Sequence, residues 1–467
     1  MQLIHPPRSL YWPDVMYEIQ KVLSGIPEIY VVGGAVRDAY RGAALKDIDL
    51  ACPKDGRPVA RKIANAFRGD YYALDPERGV GRAMIEFRGE RLVVDVAALR
   101  GDLESDLRDR DFTINAMAVP LMDEELNGIY DPCDGVTDLN RKVLRRCSPH
   151  SIASDPIRAL RGIRQSLKYG VMIEPDTRQD IRREGVKIVN SSVERVRDEF
   201  FTMLGDPKPQ SGLLALEMVG LLTLIVPEVE ILRGKNVWRF TLNAIEKLDV
   251  LLTVISPRRD DNIAANAGFG AFVYLLDRFR GLFQKQMAVE YPDDRTHRMV
   301  LMFALLLSLA GETLEVSAEL AVERARVLKL SNQEVRRLEE VILCHRLPHS
   351  LQAPLNARQV YRFWRETGVT GVDACLLTIA NYLAEKGVLL NIDEWTAYLQ
   401  SIVQLLEGYE NAMMLSPLVS GSDLMEQLGL ERGPQIGELL EMLREAQALG
   451  EFSTKEEGLA LARELLK

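Results

Sequence analysis

The sequence predicts an α/β head followed by an all-α neck, body and tail, because its pattern changes once along the chain. From residue 28 to about residue 140, short apolar runs rich in β-branched residues alternate with glycine turns and amphipathic stretches, which is typical of an α/β domain. From about residue 141 onward, apolar residues recur with helical spacing in segments rich in Leu, Ala and Glu. The boundaries we predict are 1–140 for the head, 141–205 for the neck, 206–415 for the body and 416–467 for the tail.

Composition places the chain among soluble globular proteins. Apolar residues make up 47% and charged residues 27% of its 467 positions, which is ordinary for that class. The five cysteines form no Cys-x-x-Cys pair and do not cluster with the five histidines, which argues against a zinc site and favours reduced thiols. The longest apolar run, near residues 300–310, is too short to span a bilayer, and the first twenty residues lack a signal-peptide pattern. We therefore expect a cytoplasmic protein with no membrane contact, of an oligomeric state that the sequence leaves open.

A glycine turn between a predicted strand and a predicted helix defines the first candidate site. Residues 29–32 form an apolar, β-branched run, Gly33 and Gly34 interrupt it, and residues 35–38 open a helix that carries Arg37. A turn of this kind presents free backbone N–H groups at a helix N-terminus, where they bind anions and most often phosphate.

Paired carboxylates follow on the next apolar run. Asp47 and Asp49 are two residues apart, and on a strand such residues face the same side. Two carboxylates beside a phosphate-binding turn are the hard oxygen ligands with which Mg²⁺ assists phosphoryl chemistry. Taken singly, each feature is more often a plain turn or a solvated strand edge. Their combination predicts a nucleotide-and-metal site.

A third carboxylate lies on a later predicted strand. Asp95, within residues 92–96, either joins Asp47 and Asp49 or stands exposed at the end of its strand, and the local sequence supports both equally. Between the predicted strands, residues 75–82 form a charged, glycine-bearing loop that we expect to move.

Three polar residues precede an apolar run in residues 107–118. Arg110 is suited to neutralising a triphosphate, and Asp111 and Asn115 are suited to hydrogen bonding with ribose hydroxyls.

Basic residues concentrate in the predicted neck. Residues 141–197 hold 14 Lys or Arg against 6 Asp or Glu, although the whole chain has a net charge of −10. Such a local excess predicts a confined contact with a polyanion, and a helical surface laced with ion pairs is the open alternative. One predicted helix places apolar residues at 157, 160, 163 and 167 and basic residues at 158, 161, 164 and 168, so that a basic stripe flanks an apolar one.

Taken in order, these motifs resemble those of the tRNA nucleotidyltransferase and bacterial poly(A) polymerase family, most of all its class II, bacterial-type CCA-adding enzymes. The resemblance covers about residues 28–204 and the end of the chain from about residue 417, and it is weak between them. It implies a polymerase-beta-like nucleotidyltransferase head. The motifs that carry it are Gly33-Gly-Ala-Val-Arg-Asp, Asp47-Ile-Asp, Arg110-Asp-Phe-Thr-Ile-Asn-Ala, Asp131-Pro-Cys-Asp-Gly, Asp155-Pro-Ile-Arg-Ala-Leu-Arg and Glu194-Arg-Val-Arg.

The resemblance implies addition of CMP and AMP from CTP and ATP to the 3′ end of tRNA without a nucleic-acid template, with Mg²⁺ as cofactor and pyrophosphate as product. Asp47 and Asp49 would ligate the metal, and Asp95 would be the third catalytic carboxylate, as a general base or a metal bridge. The neck would select the base, and the tail would contact the tRNA acceptor end. The nucleotide contacts that it implies are Gly33, Gly34, Arg37, Arg110, Asp111, Asn115, Asp155, Arg158, Arg161 and Arg164.

Asp155 and Arg158 match the pair that reads the incoming base in the family, and Arg161 and Arg164 extend that set. A carboxylate accepts from the exocyclic amine of C or A, and a guanidinium donates to the ring nitrogen beside it. G and U present the opposite pattern, so one such pair accepts C and A and rejects the other two bases.

Departures from the family pattern leave alternatives open. Ser154 stands where the family usually has Glu and Asp109 where it usually has Arg, which puts the nucleotide preference in doubt. The helical body resembles a phosphohydrolase domain in spacing between His297 and His345 but lacks its His-Asp metal pair, so we expect it to be structural. A CC-adding or A-adding enzyme, a poly(A) polymerase and a non-catalytic RNA-binding relative are the alternatives. The absence of a basic segment after Asp49 counts against the polymerase.

Overall fold

The structure, a computed structural model, describes residues 3–26, 28–45, 47–256, 267–351, 354–414 and 416–466. The chain forms two compact units, one from Met1–Glu199 with Ala215–Leu221 and the other from Phe200–Leu214 with Leu222–Lys467. The large sheet belongs to the first unit, and the second is helical in its described part. The predicted fold class, an α/β head followed by helices, is confirmed.

The first unit is built on an eight-stranded sheet. Its strands are β1 (Leu3–Ile4), β2 (Tyr30–Val32), β3 (Asp47–Cys52), β4 (Asp70–Asp75), β5 (Val80–Phe87), β6 (Glu90–Ala98), β7 (Ala118–Pro120) and β8 (Ile129–Tyr130). They lie in the order β1–β8–β7–β2–β3–β6–β5–β4. The central neighbours β3 and β6 run parallel, and the other neighbouring strands pair antiparallel.

Helices pack against this sheet, and further helices follow it along the chain. A short parallel pair, β9 (Val143–Leu144) and β10 (Met172–Ile173), lies within the neck. The helices are α1 (Asp14–Val22), α2 (Gly34–Arg41), α3 (Arg57–Phe67), α4 (Leu103–Arg108), α5 (Gly135–Arg141), α6 (Ser151–Ser154), α7 (Ile157–Tyr169), α8 (Pro175–Glu184), α9 (Val193–Gly205) and α10 (Pro209–Met218). The last two, α9 and α10, each have residues in both units.

Alternation along β3 decides which side of the sheet carries the carboxylates. Ile48 and Leu50 are buried in the main core of the head, together with Ile63 of α3. Because successive strand residues point to opposite faces, burial of the apolar pair turns Asp47 and Asp49 to the other face. Each buried aliphatic side chain contributes about 1.5–3 kcal/mol to stability, so the hydrophobic pattern holds the carboxylates in place.

Half of the charged loop that we predicted over residues 75–82 is strand. β4 ends at Asp75 and β5 begins at Val80, which leaves a four-residue turn. The carboxylate of Asp75 accepts from the backbone N–H groups of Glu77 and Arg78 and so closes the turn. The loop is shorter than predicted, because β5 extends its pairing with β6 as far as Gly81, and its mobility stays a prediction.

The predicted basic helix forms as α7. Ile157, Leu160 and Ile163 are buried as the spacing requires, whereas Leu167 is exposed. At Gly162 a Cβ atom would lie 2.7 Å from the ring of Phe112. The absence of a side chain therefore lets α7 pack closely against residues 107–118 of the head, which we call the polar segment.

In the described part of the second unit, helices are joined by turns and loops, with one isolated β-bridge between Glu290 and Thr296. No helix in the described ranges has the length and apolar character needed to cross a bilayer. Its helices are α11 (Leu222–Ile225), α12 (Val229–Gly234), α13 (Trp238–Ile255), α14 (Ala267–Leu276), α15 (Arg280–Met287), α16 (His297–Leu307), α17 (Leu314–Val327), α18 (Asn332–Cys344), α19 (Leu347–Ser350), α20 (Ala357–Thr367), α21 (Thr370–Lys386), α22 (Ile392–Glu407), α23 (Tyr409–Met414), α24 (Gly421–Leu428), α25 (Pro434–Ala448) and α26 (Lys455–Leu465).

Candidate nucleotide and metal site

A row of charged side chains crosses three neighbouring strands of the head. Asp49 on β3 is level with Asp95 on β6, and Asp95 is opposite Arg82 on β5. Asp47 precedes Asp49 on the same face of β3. The structure therefore brings together the three carboxylates that the sequence nominated.

Asp49 is partly buried, whereas Asp47 is exposed. Burial raises the pKa of Asp49, the neighbouring charges of Asp95 and Asp47 raise it further, and Arg110 opposes them. No side-chain hydrogen bond or ion pair joins Asp47 or Asp49 to another residue in the described part of the chain. A partly buried carboxylate in that condition is stabilised when a cation accompanies it.

Asp95 already has a partner. Nε of Arg82 lies 2.8 Å from Oδ1 of Asp95, and Nη2 lies 2.8 Å from Oδ2. Both carboxylate oxygens are thus engaged by one guanidinium, the strongest common form of ion pair. The sequence reasoning missed Arg82, because it placed this residue in a loop.

The glycine turn approaches both the carboxylates and Arg110. Gly33 has φ 71°, a conformation that favours glycine. A Cβ atom at this position would lie 2.7 Å from Nη1 of Arg110 and 3.7 Å from Oδ2 of Asp49. Gly34 begins α2, so the turn, the helix N-terminus, Arg110 and Asp49 meet at one point.

Arg37 faces inward from α2. It is buried, and its Nε and Nη2 donate to the carboxylate of Asp38 at 3.0 and 2.8 Å. Its Nη1 donates to Oδ1 of Asn115, and its guanidinium stacks over the ring of Tyr169, 4.1 Å from the centroid. Arg37 therefore ties α2 to the polar segment and to α7, while the triphosphate contact assigned to it stays a prediction.

The polar segment is held by hydrogen bonds to itself and to α7. Asp111 accepts from the backbone N–H of Phe112 at 2.8 Å and from Nδ2 of Asn115 at 2.9 Å, and it pairs with Nε of Arg161 at 2.7 Å. Burial alone would raise the pKa of Asp111, but Arg161 and these hydrogen bonds together lower it. Asn115 also donates to Gln165 on α7 at 2.9 Å, a partner that lies one helical turn beyond Arg161 and that the sequence reasoning missed.

Arg110 is held from one side. Its Nη2 pairs with Oδ2 of Asp106 at 3.0 Å, and its side chain keeps 26% of its surface exposed. With Nη1 directed at the glycine turn, Arg110 offers a positive charge beside Asp49.

The two residues matched to base reading have intramolecular partners. Oδ2 of Asp155 pairs with Nη2 of Arg195 at 2.7 Å. Arg158 donates only to backbone carbonyls, including that of Asp109 at 2.8 Å and that of Ser151 at 3.1 Å. Because a carbonyl is supplied by any residue, the Asp109 departure does not remove the partner of Arg158.

Many basic side chains of the neck are paired with carboxylates. This pairing favours the alternative of a helical surface laced with ion pairs over a belt of unpaired positive charge. Each exposed pair contributes little to the stability of the fold. The pairs are Arg145–Asp138, Arg146–Asp180, Arg161–Asp111, Arg164–Glu199, Arg183–Asp180, Lys187–Glu184, Arg195–Asp155 and Arg197–Asp198.

In the second unit, His297 pairs with an aspartate far along the chain. Nε2 of His297 lies 2.8 Å from Oδ1 of Asp373, and both side chains are fully buried. Across the described residues, no group of three or more His, Cys, Asp or Glu side chains is arranged to hold a metal ion. The metal-binding role of Asp47 and Asp49 therefore stays a prediction, and substrate oxygens and water would supply the further ligands that Mg²⁺ requires. The structural role expected of the body stays a prediction.

From the buried side chain of His345 we predict that the folded protein loses stability in acid. Its Nδ1 contacts the carbonyl of Ile342 at 2.7 Å, its Nε2 has no partner among the described residues, and burial lowers its pKa to about 4. The unfolded chain, with a pKa near 6.5, takes up the proton first, so stability falls as the pH drops from about 6.5 to about 4. Urea unfolding at pH 7.5 and pH 5 should show about 2 kcal/mol less acid loss in His345→Leu than in the natural chain.

The exposed His349 in the same region supplies the control for this measurement. His349→Gln should keep the acid loss of the natural chain. An equal acid loss in His345→Leu would contradict the assignment, since carboxylates shared by all three proteins would then account for it.

Comparisons with known proteins identify this class of site. A family profile described as the Poly A polymerase head domain matches residues 29–145, one for the RNA and SrmB binding site of polymerase A matches residues 170–232, and one for tRNA nucleotidyltransferase domain 2 matches residues 302–462. A solved CCA-adding enzyme in complex with ATP shares the fold, with a TM-score of 0.64, 20% sequence identity and coverage of 97% of this chain and 95% of that one. The head is therefore of the nucleotidyltransferase type.

Two relatives that match nearly the whole chain show the family to which it belongs. The A-adding tRNA nucleotidyltransferase of Deinococcus radiodurans is 33% identical, over 94% of this chain and 95% of its own. The CC-adding tRNA nucleotidyltransferase of Synechocystis sp. is 29% identical, over 94% of each chain. The chain belongs to the tRNA nucleotidyltransferase family.

Proposed function

We propose that this enzyme adds CMP and AMP, from CTP and ATP, to the 3′ end of tRNA, completing or repairing the CCA terminus. The observation that carries the proposal is the pair Asp47 and Asp49, without partners among described side chains and adjoining the Gly33 turn and Arg110. This arrangement offers a cation site and an anion site side by side, as a metal-bound triphosphate requires. Free cysteines throughout the chain fit a cytoplasmic location.

Asp47 and Asp49 would hold Mg²⁺, which would activate the RNA 3′-hydroxyl and neutralise the leaving pyrophosphate. The backbone at Gly33 and Gly34 would bind the phosphates, with Arg110 adding charge. Asp111 and Asn115 are suited to positioning rather than to a direct ribose contact, because both are already bonded within the protein.

Base selection would fall to Asp155 and Arg158 on the side of the neck that faces the polar segment. Each must exchange its present partner for the base, Asp155 by leaving Arg195 and Arg158 by leaving backbone carbonyls. Arg161 and Arg164, held by Asp111 and Glu199, would orient α7. We assign residues 1–140 to catalysis, 141–205 to base selection, and the body and tail, 206–415 and 416–467, to holding the tRNA.

Arg158→Ala should weaken discrimination among nucleotides before it weakens RNA binding. Loss of a guanidinium that donates to a base edge typically reduces selectivity by about 1–3 kcal/mol, roughly 5- to 150-fold. Single-turnover incorporation with each of the four nucleotides, and tRNA binding by filter retention, would measure both quantities.

Arg178, exposed on α8, provides the control, and Arg178→Ala should leave the ratio among nucleotides unchanged. Equal losses with all four nucleotides in Arg158→Ala would show that Arg158 only supports the fold near Asp109.

A-addition alone is the second candidate. It is favoured by the Deinococcus enzyme, which matches nearly the full chain, whereas the multifunctional CCA protein of Xanthomonas campestris is 36% identical over only 44% of this chain. Some relatives are thus named for adding part of the CCA terminus, and others are named for the whole CCA sequence.

Single-nucleotide extension separates these candidates. Three tRNAs, ending before CCA, after its first C and after CC, would each be offered CTP, ATP or both with Mg²⁺. Completion to CCA followed by arrest supports the proposal. Addition of A only to the tRNA ending in CC identifies the A-adding enzyme, C only identifies a CC-adding one, and a long A tail identifies a poly(A) polymerase. No incorporation would favour a non-catalytic RNA-binding relative.

A further inference from the structure

The pair Arg82–Asp95 lies where a third metal ligand would be expected. Strand register places Asp95 level with Asp49, and it places Arg82 directly opposite Asp95 on the other side. The backbone of three paired strands thus sets the spacing of the two ionic groups. The register of the strands therefore brings Arg82 and Asp95 into contact.

Arg82 spans both oxygens of Asp95 with two contacts of 2.8 Å, so the lone pairs directed towards Arg82 are already engaged. The remaining lone pairs could bind a divalent cation only while the same carboxylate also held a guanidinium, and the two positive charges repel each other. Release by Arg82 would therefore strengthen Asp95 as a ligand of a cation at Asp47 and Asp49.

The pair is accessible enough for such an exchange. Arg82 keeps 37% and Asp95 26% of its side-chain surface exposed, and a half-exposed ion pair is only modestly stabilising because water screens it. By contrast, the fully buried Arg295–Glu334 pair of the second unit is not poised to open in this way.

We propose that Arg82 is a positioning residue that holds Asp95 away from the divalent cation, so that the third carboxylate joins the metal site only when Arg82 releases it. The inference rests on the proposed function, which places the cation at Asp47 and Asp49. It gives Arg82 a restraining role, so its removal should tighten metal binding rather than weaken it.

Binding of Mn²⁺ to the full chain, followed without nucleotide by the electron paramagnetic resonance of the free ion, tests this inference. Arg82→Gln should bind Mn²⁺ roughly three- to tenfold more tightly than the natural chain. Arg82→Lys, which keeps the charge but loses the two-pronged contact, should also bind more tightly, by a smaller factor. Arg88→Ala, which removes an exposed pairing between the turn after β5 and Asp14 of α1, should bind as the natural chain does.

The double variant Arg82→Gln/Asp95→Asn separates competition from mere removal of a positive charge. Competition predicts the same affinity for Mn²⁺ as in Asp95→Asn alone. A gain that persists in the Asp95→Asn background, or unchanged or weaker binding in Arg82→Gln and Arg82→Lys, would overturn the inference. If Asp49→Asn binds Mn²⁺ as well as the natural chain does, the metal assignment of the proposed function fails, and the role of Arg82 fails with it. Loss of binding in Asp49→Asn with no effect of Arg82 overturns the inference alone.

Discussion

Asp49→Asn should lower nucleotide incorporation at least about a thousandfold, because it removes a metal ligand worth several kcal/mol at the transition state. The same change should leave the free energy of unfolding equal or higher. Burial and the charges of Asp95 and Asp47 disfavour the ionised carboxylate in the folded protein, and the amide has no charge to desolvate. Single-turnover extension and urea unfolding would measure the two effects, with tRNA binding unchanged.

Asp70, exposed at the start of β4, gives the matched change. Asp70→Asn should be fully active and as stable as the natural chain. An Asp49→Asn enzyme that incorporates nucleotides at the natural rate would disprove the assignment of the metal ligands, and one that unfolds more readily would show that the carboxylate serves the fold.

Asp373→Ala should destabilise the second unit by about 3–5 kcal/mol, since it leaves buried donors without their acceptor. Asp373 is fully buried and accepts from Nε2 of His297 at 2.8 Å and from Nε2 of Gln286 at 2.9 Å, and it pairs with Arg337 at 3.4 Å. Three helices, α15, α16 and α18, thus converge on one carboxylate of α21. Urea unfolding followed by circular dichroism would detect the change in midpoint.

Asp393, exposed in the first turn of α22, serves as the control. Asp393→Ala should shift stability by no more than about 0.5 kcal/mol. A loss below about 1 kcal/mol in Asp373→Ala would mean that water replaces the missing acceptor at little cost. The network would then be incidental to the fold.

Local pattern was enough for the elements that carry the site. Period-two alternation around Ile48 and Leu50 placed Asp47 and Asp49 on one face, and 3-3-4 spacing predicted α7 with its basic stripe. Alternation and helical spacing depend only on neighbours in the chain, so no knowledge of the tertiary structure was required.

The Arg82–Asp95 pair was within reach of the same reasoning. β5 and β6 form a hairpin in which Phe87 lies opposite Glu90, and counting five residues away from the turn along each strand reaches Arg82 and Asp95. The prediction of a loop over residues 75–82 concealed this register. Gly79 does lie in a turn, but Gly81 and Arg82 belong to β5, which pairs with β6 on one side and β4 on the other.

By itself, the sequence determined the change from an α/β head to a helical remainder, the face on which the paired carboxylates lie and the family to which the motifs belong. Only the tertiary structure decided which partner each charged side chain takes. Arg37 meets Asn115, 78 residues away, and Asp155 meets Arg195, 40 residues away. Local spacing sets which way a side chain points, but a hydrogen bond is formed with whatever the folded chain brings within about 3 Å, and that depends on the packing of α2, α7 and α9 together with the sheet.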